Sequence, residues 1–186
     1  MKILLMSLLI SLICGCSNPP INLHQLGKDS ADSNPPSNLD KIPDATPKVE
    51  AIVKGGPNKE YDVLGQRYQP IVKDEPFSEK GIASWYGAKY NGHSTSNGET
   101  YDMYSMSAAH KTMPLPSFAV VKNPKNNKII VVRVNDRGPF HENRIIDLSY
   151  TAALKLDLLN KPGEVEVRRI TNEEIKNGTW KKLISK

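Results

Sequence analysis

The stretch IIVVRVND, residues 129–136, decides the fold of this chain. Five of its eight residues are Ile or Val, whose branched side chains favour extended backbone, so the stretch predicts a β-strand. Side chains alternate between the two faces of a strand, which puts Asp136 in phase with Val132 and Val134. A carboxylate that ends an apolar row is expected at the rim of the fold, with one side shielded from water.

Shorter apolar stretches on both sides of this strand predict further strands. They lie at residues 82–86, 117–122 and 165–170. Two short helices are predicted, one within residues 105–112 and one after the capping stretch Asp147-Leu148-Ser149. Short strands combined with one or two small helices are typical of a compact β-barrel.

The first sixteen residues predict an export signal. Lys2 is followed by an apolar run, residues 3–13, which is too short to span a bilayer. The run leads to Gly15-Cys16, which is similar to the bacterial lipobox, in which the cysteine is lipidated and becomes the N-terminus. Cys16 is therefore the predicted lipidation site. The alternative is an ordinary secretory signal with a cysteine nearby by chance.

Residues 17–60 predict a disordered tether. Seven prolines occur within residues 17–57, among Asn, Asp, Ser and Lys, with no sustained apolar period. Such a composition cannot bury enough apolar surface to offset its loss of conformational entropy. One domain is predicted over residues 61–171, followed by a short tail over residues 172–186.

Charge and cysteine usage exclude several functions. The net charge is +5, which fits either a solvated basic surface or contact with an anionic wall polymer. No basic run is interleaved with aromatic residues, so nucleic acid is not a predicted partner. Cys14 and Cys16 both lie in the export signal, and the four histidines lack ligand spacing. Neither a disulfide framework nor a metal site is predicted.

Three side chains are candidates for proton chemistry. A half-shielded Asp136 would have the raised pKa that a general acid needs, although an Asp before Gly-Pro can simply accept backbone N–H bonds in a turn. Glu99 follows a glycine in a stretch where backbone can approach a ligand closely, or it is a solvated loop residue. His110 could orient a carboxylate or transfer a proton, or it is a structural histidine.

Three aromatic residues are candidates for sugar binding. Trp85, Tyr86 and Tyr90 surround the end of the first predicted strand. The C–H faces of sugar rings suit aromatic surfaces, although Trp85 could equally fill the core.

Several motifs, taken together, resemble those of the rare lipoprotein A (RlpA) family. They are GIASWYG at residues 81–87, GETYD at 98–102, AAHKT at 108–112, VRVNDRGPF at 132–140 and RIIDLS at 144–149. They follow the family order across about residues 61–170, and the lipobox belongs to the same pattern.

The resemblance implies a six-stranded double-psi β-barrel and a lytic transglycosylase that prefers glycan strands without stem peptides. The family's functional positions fall on Glu99, His110 and Asp136. Substrate contacts are assigned to Trp85, Tyr86, Tyr90, Thr95, Asn135 and Arg137. In the expected reaction, Asp136 protonates the glycosidic oxygen, and Asp136 or Glu99 takes the proton of the muramoyl C6 hydroxyl as that oxygen attacks C1. No cofactor is implied.

The resemblance also implies a cellular setting. We expect a monomer that is lipid-anchored at the inner leaflet of the outer membrane and faces the periplasm. Its expected partners are peptidoglycan glycan strands and proteins of the division machinery. Many family members continue into a C-terminal SPOR domain, and without one we expect targeting to rest on the anchor and the barrel. The competing expectation is a wall-binding or expansin-like barrel that cleaves no bond.

Overall fold

The structure is a computed structural model that describes residues 30–185. The predicted export signal, Cys16 and the first part of the predicted tether lie outside these residues. Among residues 30–185, no helix has the length and apolar character needed to cross a bilayer.

Strands dominate the described part of the chain. They are β1 (Tyr61–Val63), β2 (Gln66–Tyr68), β3 (Ser78–Trp85), β4 (Ser107–His110), β5 (Ser117–Lys122), β6 (Ile129–Asp136), β7 (Arg144–Leu148) and β8 (Gly163–Ile170). The α-helices are α1 (Tyr150–Lys155) and α2 (Asn172–Asn177). Short 3-10 turns occur at Leu39–Lys41, Gly56–Asn58 and Thr179–Leu183.

Six strands close into one barrel in the order β3-β7-β4-β6-β5-β8. The pairs β3-β7 and β4-β6 are parallel, and the other four pairs are antiparallel. Closure gives each of these strands a neighbour on both sides, which avoids the unpaired edge of an open sheet. The prediction of a six-stranded β-barrel is confirmed.

The barrel interior is filled by alternate residues of the strands. Val132 and Val134 of β6 are fully buried in it, as the alternation in the sequence predicts. Ala83, Ala108 and Ala119 are also fully buried there, and their small side chains suit a narrow barrel. Burying a Val side chain contributes about 1.5–3 kcal/mol, so β6 is a main source of the barrel's stability.

One helix prediction is confirmed and the other is wrong. The Ser149 hydroxyl caps α1 by accepting a hydrogen bond from the Ala152 N–H, as predicted. Residues 105–112 do not form a helix, because their central part is β4, which pairs with β6 and β7. Pairing with two neighbouring strands overrides the weak local preference of two alanines for a helix.

The structure differs from the predicted tether over residues 39–58, which we call the strap. The strap packs along the barrel, and Leu39 is only 5 % exposed in a cluster with Tyr86 and Tyr101. Its few apolar residues are spaced too irregularly to give a periodic pattern, which is why composition alone predicts disorder.

Hydrogen bonds explain why the strap lies along β6. β4 pairs only with the second half of β6, so the N–H and C=O of Val131 face an edge that β4 does not cover. The Ala45 N–H donates to Val131 O at 3.0 Å, and Asp44 Oδ2 accepts from Val131 N at 2.8 Å. Lys155 of α1 then pairs with Asp44. The strap therefore satisfies backbone groups that would otherwise lack partners.

We expect Leu39→Ala to lower the free energy of unfolding by about 2–3 kcal/mol, because it leaves a cavity between the strap and the barrel. Val53→Ala removes an apolar side chain from the same strap, but that side chain is 63 % exposed. This control should change stability by less than about 0.5 kcal/mol. Urea denaturation measures both, and equal effects would contradict the packing of the strap.

Candidate active site

Asp136 ends β6, where a register shift pairs it with Ala109 of β4. Its Oδ1 accepts three hydrogen bonds: from the Ser96 N–H at 2.8 Å, the Ser96 hydroxyl at 2.5 Å and the Arg137 N–H at 2.8 Å. Its Oδ2 has no hydrogen-bond partner within residues 30–185, and the side chain is half-buried. Oδ1 is thus fixed by hydrogen bonds, and Oδ2 is available to a ligand.

Glu99 is held by charge and by amides. Arg133 donates from Nε to both carboxylate oxygens at 3.1 and 3.0 Å and from Nη2 to Oε1 at 2.6 Å. Asn97 and Asn135 donate to the two oxygens at 2.8 and 3.0 Å. Hydrogen bonds from Arg133 are the main cause that lowers the pKa of Glu99 to about 2. At neutral pH, Glu99 is therefore a fixed anion rather than a proton carrier.

Arg133 also connects this anion to the strap. Its Nη1 lies 2.6 Å from Oε1 of Glu50, a strap residue, and its guanidinium lies 5.4 Å from the ring centre of Phe118. Carboxylates on both sides raise the pKa of Arg133 further above its usual value. Glu50 of the strap therefore contributes to the electrostatic environment of Glu99.

The structure turns the His110 ring away from Asp136. Nδ1 accepts hydrogen bonds from the N–H groups of Thr112 and Met113 at 3.1 and 3.0 Å, so the ring proton belongs on Nε2. Nε2 lies 3.3 Å from Oε2 of Glu79. Burial lowers the pKa of His110, which favours the neutral ring. His110 does orient toward a carboxylate, but that carboxylate is Glu79.

The Arg137 side chain is fully engaged by protein groups. Nε and Nη2 donate to Pro57 O at 3.1 and 2.9 Å, and Nη2 also donates to Asn58 Oδ1 at 2.9 Å. Nη1 donates to the carbonyls of His110 and Met113 at 3.1 and 2.6 Å. Burial lowers the pKa of Arg137 to about 10. Its backbone N–H donates to Asp136 Oδ1. Its side chain connects the strap to the end of β4 and the loop after it.

Asn135 and Thr95 are two further predicted substrate contacts, and both form hydrogen bonds inside the site. Asn135 is buried and donates to Glu99. Thr95 is buried, and its hydroxyl lies 2.7 Å from Asn97 Oδ1. Asn135 holds the loop that carries Ser96 and Glu99 against the end of β6, and Thr95 stabilises that loop through hydrogen bonds to its own residues.

The three predicted aromatic contacts have different surroundings. Trp85 donates from Nε1 to Leu159 O at 3.1 Å and packs partly against the core, as the alternative interpretation expects. Tyr86 is buried and stacks on Tyr101 with a ring distance of 4.0 Å. Tyr90 is partly exposed at the edge of Tyr86, so its ring is the most accessible of the three.

Sequence reasoning missed an open groove beside Asp136. The groove is lined by Gly56, Pro57, Lys59, Tyr61, Val63, Ser96, Arg137 and Phe140. Tyr61 and Phe140 are 6.1 Å apart in an edge-to-face arrangement, which presents an aromatic wall. Phe140 lies within the VRVNDRGPF motif and could have been noticed, whereas Tyr61 is far away in sequence and gives no local signal.

Comparisons with known proteins agree with the fold. Residues 78–169 match a family model of the double-psi β-barrel that is described as Lytic transglycolase. The predicted double-psi topology is thereby confirmed, and the class is that of the lytic transglycosylase barrels.

Named relatives identify the family within this class. A Vibrio cholerae protein named endolytic peptidoglycan transglycosylase RlpA is 49 % identical over 167 residues, which are 90 % of this chain and 62 % of that relative. Proteins of the same name from Pseudomonas aeruginosa and Neisseria meningitidis are 52 % and 50 % identical, over 63 % and 62 % of this chain. The chain belongs to the RlpA family. It spans 34 % and 51 % of these last two relatives.

One solved structure resembles part of this chain. The Streptomyces papain inhibitor aligns with 49 % of this chain and 94 % of that chain, at 22 % identity and a TM-score of 0.37.

We expect Arg133→Gln to raise the pKa of Glu99 from about 2 toward its usual 4.5. Because the folded-state pKa is depressed, the stabilisation by ionised Glu99 is present above pH 4.5 and is lost as the pH falls toward 2. The variant should lose this part of the pH dependence of unfolding. Carbon-13 NMR of the Glu99 carboxyl measures the shift directly. Arg67→Gln, which breaks an exposed pair with Glu60, is the control and should leave the Glu99 titration unchanged.

Proposed function

We propose that this protein is a lytic transglycosylase that cleaves the β-1,4 bond between N-acetylmuramic acid and N-acetylglucosamine in glycan strands. The observation that carries the proposal is the Asp136 carboxyl, with one oxygen fixed by three donors and the other open beside a groove. The named relatives, which are endolytic peptidoglycan transglycosylases, supply the substrate class.

In the proposed reaction, one group transfers protons in both directions. Protonated Asp136 donates from Oδ2 to the bridging oxygen, and the bond between that oxygen and C1 breaks as positive charge develops on the muramoyl ring. The Asp136 carboxylate then takes the proton of the C6 hydroxyl while O6 bonds to C1. The products are a 1,6-anhydromuramoyl end and a free C4 hydroxyl, and no water is consumed.

The other predicted catalytic residues support this reaction from a distance. Glu99 has a pKa of about 2, so it contributes negative charge and fixes the loop that carries Ser96. His110 anchors the turn after β4 through its two accepted N–H bonds. Tyr61 and Phe140 line the groove and offer aromatic surface to sugar faces.

We also propose that Cys16 carries lipid and holds the protein, as a monomer, at the inner leaflet of the outer membrane. The described chain contacts the domain already at Ser30, whose carbonyl accepts from the Ala88 N–H. The chain between Cys16 and Ser30 can therefore reach about 50 Å at most, which is shorter than a tether that extends to residue 60 would allow. A role in wall remodelling or cell separation, with division proteins as partners, is part of this proposal.

The decisive experiment compares the full chain in detergent with its Asp136→Asn variant on peptide-free glycan strands. Mass spectrometry should find anhydromuramoyl ends from the parent, and the variant should be slower by a factor of about 10²–10⁴ because it lacks the proton donor. Asp157→Asn changes an exposed Asp that pairs with Lys128 and should behave like the parent.

Three other outcomes would contradict the proposal. Reducing ends would indicate hydrolysis by water. Binding of glycan by parent and variant without cleavage would indicate a wall-binding barrel. Equal rates for Asp136→Asn and the parent would remove Asp136 from the proton transfers.

A further inference from the structure

The groove beside Asp136 is lined by positive charge and by no negative charge. Two of its lining residues, Lys59 and Arg137, are basic, and none is acidic. The other lining side chains are aliphatic, aromatic or a hydroxyl. A concave surface with charge of one sign favours a ligand of the opposite sign, so the lining fits an anionic group.

Backbone geometry turns the Lys59 side chain toward this groove. Lys59 has an extended backbone, with φ −74° and ψ 156°, and leads into β1. Because side chains alternate along extended backbone, Lys59 projects with Tyr61 and Val63, which line the same groove. Lys59 is exposed, and its ammonium group has no ion pair or hydrogen bond within residues 30–185.

The acids next to Lys59 in the chain face the other way. Glu60 pairs with Arg67 at 2.6 Å. Asp62 lies directly opposite Arg67 in the register of β1 and β2, and directly paired residues project to the same face. Glu60 and Asp62 therefore lie on the face of the hairpin that is turned away from Tyr61 and the groove. Neither of them neutralises Lys59.

Arg137 supplies a second positive charge behind the groove. With a pKa of about 10 it remains charged at neutral pH, and within the described residues its guanidinium donates only to neutral oxygens. The acid whose charge acts on Arg137 is Asp136, which is protonated when the proposed reaction begins. At that stage the Arg137 charge attracts an anion in the groove, although its engaged N–H groups leave the direct contact to Lys59.

A glycan strand offers one kind of group that fits this charge. The hydroxyl and acetamido groups of both sugars are neutral. The muramoyl ring also carries a lactyl ether at C3, which ends in a free carboxylate where no stem peptide is attached and in a neutral amide where one is. This ring is the one whose C1–O bond is cleaved, so its lactyl group enters the groove when that bond reaches Asp136.

We propose that Lys59 is a specificity-determining residue that binds the lactyl carboxylate of a peptide-free muramoyl residue, with the charge of Arg137 reinforcing the contact. This inference rests on the proposed function, which supplies the glycan substrate. An ammonium-to-carboxylate hydrogen bond is stronger than a bond between neutral groups, and amide formation at the lactyl group removes it. The contact therefore distinguishes strands without stem peptides from strands that carry them.

The test compares two forms of the same peptide-free strands, one with free lactyl carboxylates and one in which they are converted to neutral primary amides. For cleavage by the full chain in detergent, KM should be lower for the carboxylate form by a factor of about 5–10. Lys59→Gln should give equal KM values for the two forms with little change in kcat, because Lys59 does not touch the reacting atoms. Lys59→Arg keeps the charge and should retain the preference.

Two controls separate this contact from general charge effects. Lys73→Gln removes an exposed lysine that does not line the groove, and it should keep the preference of the parent. Added salt should weaken the preference of the parent and leave Lys59→Gln unchanged.

A binding measurement distinguishes failure of this inference from failure of the proposed function. Asp136→Asn imitates the protonated aspartic acid and leaves the strand uncleaved, and it should bind the carboxylate form more tightly. The double variant with Lys59→Gln should lose this preference. That result together with a parent that forms no anhydro product would support the Lys59 contact and overturn the proposed function.

Two results would overturn the inference while an active parent upholds the proposed function. One is an unchanged preference for the carboxylate form in Lys59→Gln. The other is a Lys59-dependent preference for strands that carry stem peptides, which would assign the positive charge to peptide carboxylates.

Discussion

The buried guanidinium of Arg137 is the constraint on which the site depends. Its five N–H groups are donated to carbonyl and amide oxygens of the strap and of the loop after β4, and no carboxylate is among them. Removal of the guanidinium would leave several buried acceptors without partners. The free-energy cost of an unpaired buried acceptor is larger than the net gain from one hydrogen bond. Because Asp136 precedes Arg137 in the chain, this anchoring also fixes the end of β6 at which Asp136 projects.

Glu99 and Asp136 have different roles because their hydrogen-bond donors differ. Glu99 receives a guanidinium and two amides and is thereby fixed as an anion. Asp136 receives two backbone N–H groups and one hydroxyl, all neutral and all on one oxygen. Ser96 and Glu99 lie on the same loop, so the loop that fixes the anion also orients the proton carrier. Environment, rather than residue type, separates their roles.

Sequence reasoning succeeded where local preference and tertiary structure agree. The β-branched run of residues 129–136 is a strand in the structure, and the Ser149 cap begins α1 as expected. It failed at β4, whose alanines extend only because β6 and β7 pair with them. The prediction of disorder also failed at the strap. The strap folds against the barrel because the backbone groups of Val131 have no neighbouring strand on one edge of β6. Neither condition can be read from the segment itself, since both depend on which distant strands are neighbours.

The same limit applies to the roles of the predicted site residues. Ala109 and His110 are adjacent in the chain, and alternation along β4 sends the Ala109 side chain toward Asp136 and the His110 ring toward Glu79. A motif that contains both residues therefore identifies the site without showing which of them faces the ligand. The register shift between β4 and β6 further brings Asp136 into the row of Ala109, although simple alternation places it with Val134. Pairing across strands, and not spacing along one of them, determines which side chains meet at the site.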